Sequence, residues 1–168
     1  MADSITHLAR GNDGLVHVVF DLEVDGDGWP PVGGERVWAA PLADDEYRLD
    51  NAPWFVRGVA LDDVVRAVAP DDTSWPVFVE RIRWSGNLTI RVVPFAAGAL
   101  AGSLQAVLDL FEPLGVEGEG AGIYPIVALT VPPGASRIEV KDLLRRGAAA
   151  GWWDVEEGCV DDAWIDLG

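Results

Sequence analysis

LTIRVVPFAAGALAGSLQAVLDLFEPLG, residues 88–115, changes its period half-way. Leu88, Ile90 and Val92 share one face of an extended segment. Period two places such residues on one side of a strand. After Phe95 the spacing becomes helical, and Leu104, Val107, Leu108, Phe111 and Leu114 fall on one stripe. Ser103 is placed to cap that helix, Pro113 to end or kink its last turn, and Gly115 to stop it. A strand followed by a helix in this stretch makes the chain a mixed one.

Moving toward the C-terminus, VEGEG reads as a weak strand and GIYPIVALTVPP as a central one, because it is apolar on both faces. Ser136 and Glu139 have capping-box spacing at the head of a second helix. Ile138, Leu143, Leu144 and Ala148 supply its expected buried stripe, and Gly151 its stop. WWDVEE is a last short strand. The order β-α-β-β-α-β is that of a ferredoxin-like split βαβ unit.

Moving toward the N-terminus, SGN is expected to turn VFVERIRW back onto LTIRVVPF as a hairpin. Phe78, Ile82 and Trp84 share one face of the first of these strands. In LVHVVFDLEV, Val16, Val18, Phe20, Leu22 and Val24 alternate with largely polar neighbours. ERVWAAPL and EYRLDNAP follow as extended segments, and WFVRGVALDDVVRAVAP reads as two strands joined at a turn. Trp38 and Trp84 are placed in the core. With no convincing helix here, a small β-barrel or meander is expected. The fold class is therefore α+β: a β-barrel-like half over residues 15–87 packed on a ferredoxin-like half over 88–158. A tail at 1–14 and an acidic tail at 159–168 flank them.

Composition narrows function. The 168 residues are 49% hydrophobic, enough for a folded core. No apolar run approaches the roughly 20 residues that span a bilayer. MADSITHLARGNDG lacks the apolar centre of an export signal, and the lone Cys159 forms no internal disulfide, so a cytoplasmic location is expected. The net charge is −16, from 28 acidic and 12 basic residues. Such a surface repels phosphate backbones, and no basic cluster offsets it. Neither nucleic acid nor membrane is an expected partner. A cationic protein is one, with the chain itself a monomer or homodimer.

Three segments together resemble a bacterial family, domain of unknown function 4265: DGWPPVGGERVWAAPL (27–42), YRLDNAPWFVRGVALDDVV (47–65) and SGNLTIRV (85–92). The resemblance covers most of residues 15–95, with a looser match through the C-terminal half. One departure is Asp62, where the family pattern has Gly more often. The resemblance supports the architecture and nominates positions, but implies no chemistry.

A local chemical motif surfaces in DLEVDGDGWPPVGGE (21–35). Asp21, Glu23, Asp25 and Gly26 imitate the start of a calcium loop, but the twelfth position is Val32, and Glu35 comes three residues late. A turn ending the strand is the better reading. His7, His17 and Cys159 match no zinc spacing. Ser85 sits in a turn rather than a nucleophile elbow, and GEGAG (118–122) opens no helix. No metal, cofactor or catalytic residue is expected. For Asp62 and Asp63 the preferred role is to accept backbone N–H bonds and fix a turn. The residues nominated for binding are Trp29, Glu35, Asn51, Trp54, Phe55, Asp62, Asp63 and Arg91. The expected function is a non-catalytic binding module, immunity-like or regulatory, that engages a cationic protein. The alternative is a small-molecule-binding protein or enzyme with its site between the two halves.

Overall fold

The structure, a computed structural model, describes residues 3–6 and 14–168. The chain divides into two units, Met1–Ser85 and Gly86–Gly168. Most of the expected tail at 1–14, His7 included, lies outside the described residues.

In the first unit, β1 is Ser4–Thr6, β2 Val16–Asp21, β3 Gly34–Ala43, β4 Glu46–Leu49, β5 Val64–Val68 and β6 Val77–Arg83. Residues of β3 up to Ala39 pair with β2, and those from Ala39 on pair with β4. One long strand thus serves two neighbours and closes the ring β3-β2-β6-β5-β4 into a five-stranded barrel. β1 lies outside the ring, parallel to Gly34–Arg36 of β3. Alternation along the strands sends Val18, Phe20, Val37, Ala39, Val65 and Ala67 into the core.

Four details differ from the expectations. β2 stops at Asp21, and Val24 is 48% exposed. Asp25 causes the stop: its Oδ1 accepts the N–H groups of Asp27 and Trp29, each at 2.9 Å, and a self-bonded turn replaces the ladder. Residues 54–63 form an irregular loop rather than a first strand, because the N–H groups of Trp54, Phe55, Val56 and Ala60 go to buried carboxylates. Trp84 is exposed and Trp38 half-buried rather than core. β6 meets β2 only at Val77, so its far half has β5 alone for a neighbour, and Ile82 is exposed too. Trp38 instead lies on His17, ring centroids 3.8 Å apart, with Trp75 edge-on to the same imidazole.

In the second unit, β7 is Leu88–Pro94, α1 Leu104–Phe111, β8 Glu117–Gly120, β9 Val127–Val131, α2 Arg137–Ala149, β10 Trp153–Cys159 and α3 Asp162–Ile165. A 3-10 turn, Glu112–Leu114, follows α1. The sheet order is β10-β7-β9-β8, every neighbouring pair antiparallel. Ser103 accepts the N–H of Ala106, and Gly115 stands at φ +74°, the left-handed stop.

The expected hairpin across SGN does not form. β6 belongs to the barrel, and β7 has both its edges occupied, by β9 and β10. Ser85 instead bonds back to the loop before β5, its N–H to Asp63 and its hydroxyl to the Leu61 carbonyl, each at 2.8 Å. On α2 the buried face is Val140, Lys141, Leu144 and Gly147, whereas Ile138 is 68% exposed. Gly147 decides the shift: a Cβ there would meet the ring of Trp153, so the helix rests on that indole. The expected acidic tail contains α3, whose Trp164 is buried. Asp161 caps it, accepting the Trp164 N–H, and takes both bonds from Arg137 Nη1 at 2.8 and 2.9 Å. The Arg137 bond, ahead of all other causes, holds the Asp161 carboxyl below its ordinary pKa. No helix among the described residues is long and apolar enough to cross a membrane.

Candidate functional site

Glu35 stands on β3 opposite Phe20 and is fully buried. A buried carboxylate is costly unless its oxygens are hydrogen-bonded. Here Oε1 accepts the N–H of Trp54 at 2.6 Å, and Oε2 accepts those of Phe55 and Val56, each at 3.0 Å. Three consecutive donors wrap one anion, an arrangement found where backbone binds anions. The loop is thereby pulled inward, and Trp54, Phe55 and Val56 are all buried.

Asp63 performs the same task at the far end of the loop. It is fully buried, and its Oδ2 accepts the Ala60 N–H at 2.9 Å while Oδ1 takes that of Ser85. Arg81 approaches it at 3.5 Å and donates to the Gly58 carbonyl at 3.1 Å. Asp62 stands at φ +65°, where glycine fits most easily and Asp is among the side chains that tolerate it. Its carboxylate is exposed, 3.8 Å from Arg48.

The nominated residues therefore separate. Glu35 gathers Trp54 and Phe55, and Asn51 is buried just before them. Trp29 is 39% exposed and packs edge-on against Phe55, ring centroids 5.5 Å apart. Arg91 belongs to the second unit. It is buried beneath a bulge of β10, paired with Glu156 at 3.0 Å, and a Cβ at Gly158 would strike its guanidinium.

Beside the Glu35 loop lies a cleft of about 460 Å³. It opens near the seam where β2 and β6 touch at a single register position, Val19 against Val77. Its floor is Phe20 stacked on Phe78, ring centroids 4.8 Å apart, with Phe55 beside them. The carboxylates of Asp21 and Glu23 and the guanidinium of Arg57 border it. The sequence nominated Phe55 but missed Phe20, Phe78, Asp21 and Glu23. The alternation of β2 marks Phe20 as core, and Asp21 and Glu23 read as its solvent face or as metal ligands. Among the described residues no three His, Cys, Asp or Glu side chains gather as they would around a metal.

Residues 35–155 match a domain of unknown function, DUF4265. The chain belongs to the DUF4265 family. The match spans both units, so the family extends through the C-terminal sheet as well as the barrel. This DUF4265 chain is also 30% identical over 141 residues to a methionyl-tRNA formyltransferase of Frankia casuarinae. That similarity covers 78% of the chain and only 41% of the formyltransferase. In fold it is similar to a hypothetical protein from Neisseria gonorrhoeae, with a TM-score of 0.68 at 20% identity over 90% of this chain and 97% of that one.

Proposed function

We propose that the protein is a non-catalytic, cytoplasmic binding module, immunity-like or regulatory, whose barrel cleft receives a cationic segment of a partner protein. The observation that carries this reading is the make-up of the cleft. Three phenylalanines line it, and at its edge the two exposed acids, Asp21 and Glu23, outnumber the one guanidinium, that of Arg57. An Arg or Lys side chain laid there meets carboxylates beside aromatic side chains, and each attracts a cation. Net charge −16 steers such a partner from a distance. Glu35 and Asp63 are committed to backbone donors inside the fold, which favours scaffold roles for them over acid–base chemistry. We read the second unit as ferredoxin-like. Its βαββαβ order and the strand order β10-β7-β9-β8 support that reading.

A second reading, a small-molecule-binding protein or enzyme, is favoured by the similarity to the formyltransferase. The chain spans 41% of that protein, and its charge suits the tRNA of that name poorly. Calorimetric titration separates the readings. An arginine-rich peptide is expected to bind at about 50 mM salt and to lose at least tenfold in affinity at about 500 mM. Its glutamate-substituted counterpart is expected not to bind. Absence of binding by the arginine-rich peptide at low salt contradicts the proposal.

A further inference from the structure

A second cavity, about 350 Å³, lies within the C-terminal unit among α2, β10 and α3. Lys141, Leu144, Arg145 and Ala148 reach it from one face of α2, at the spacing that aligns side chains along a helix. Val155 and Ile165 complete an apolar wall. Lys141, the one lysine in the chain, is 9% exposed. Its ammonium donates to the Trp164 carbonyl at 2.6 Å and sits 5.1 Å from the centroid of the Trp164 ring. An ammonium has three donors, and a carbonyl satisfies one. Among the described residues no carboxylate lies within ion-pair distance of Lys141 or Arg145. Gly168, the last residue of the sequence, also borders the cavity, and Glu157, the acidic side chain in the lining, accepts the indole N–H of Trp164 at 2.8 Å. Two cations one helical turn apart repel each other. In a chain with net charge −16 their placement around one apolar cavity calls for an anion.

We infer that this cavity binds a small carboxylic acid with an apolar body, its carboxylate held by Lys141 and Arg145 and its body by Leu144, Val155 and Ile165. The shared chemistry fits straight-chain and aromatic acids alike. A polyanion such as a nucleotide is disfavoured, since Glu157 shares the wall.

The test uses the full chain and follows the Trp164 indole N–H by NMR during titration with octanoate, phenylacetate and octan-1-ol. At least one acid is expected to shift that resonance with a dissociation constant below about 1 mM. Octan-1-ol, with the same chain as octanoate and no charge, is expected to bind at least tenfold more weakly than octanoate. The comparison of the two acids tells chain from ring. Arg145→Ala, at an exposed position, is expected to weaken the acid about tenfold, and Lys141→Met to abolish binding. Should Lys141→Met fail to fold, the wild-type comparison and Arg145→Ala still decide the matter. No shift with either acid up to about 10 mM, or equal binding of the alcohol and octanoate, overturns the inference.

Discussion

At the scale of single residues, Glu35 anchors the loop that follows β4 in the first unit. Its carboxylate satisfies three backbone donors that are out of reach of water. Removing such a partner costs far more than the bond was worth, because each orphaned donor carries its own desolvation penalty of about 1–3 kcal/mol. Glu35→Ala is expected to destabilise the chain by about 3–5 kcal/mol in urea denaturation. Glu35→Gln, which keeps one acceptor oxygen and turns a donor toward the others, should fall between the two. A change within about 0.5 kcal/mol for Glu35→Ala would mean the loop finds its donors another anchor. The sequence singled out Glu35 through a family motif, yet no local pattern could show its partners nineteen to twenty-one residues away.

At the scale of elements, Gly147 sets two principles against each other. In a helix interior Ala is favoured over Gly by about 1 kcal/mol. Here the new methyl would run into Trp153, which is buried and held by its indole bond to the Leu144 carbonyl at 3.0 Å. Overpacking a fixed ring costs about 1–3 kcal/mol, and the contact is too close for the lower end. Gly147→Ala is therefore expected to lose about 2 kcal/mol net, read as a lower melting temperature; a rise would show that the helix can lift off the ring. The same packing explains which elements were legible. α1 announced itself through Ser103, its apolar stripe and Gly115, all local signals. The stripe of α2 was misplaced because Ile138 looks more like core than Lys141 or Gly147 does. The hairpin across SGN was misread because turn chemistry reports a bend, and cannot report that β9 and β10 already occupy both edges of β7. Residues 54–56 look like a strand by composition, but their N–H groups are spent on Glu35.

At the scale of the whole molecule, the proposed function has charge set the class of partner and the cleft set the place. Net charge −16 was legible at once. The cleft was not, since it combines the end of β2, the corner near Pro30, the Glu35 loop and the start of β6, four segments spread over residues 20–78. An acidic surface alone would hold a basic peptide loosely and everywhere. The cleft adds an aromatic floor beside its acids. The direct measurement is a map of backbone amide shifts on titrating the arginine-rich peptide at about 50 mM salt. The shifts are expected to converge on Phe20–Glu23, Phe55–Arg57 and Val77–Phe78, and to be lost in Asp21→Lys combined with Glu23→Lys. Shifts scattered over the acidic residues of both units, unchanged by those substitutions, would contradict the cleft as the binding site.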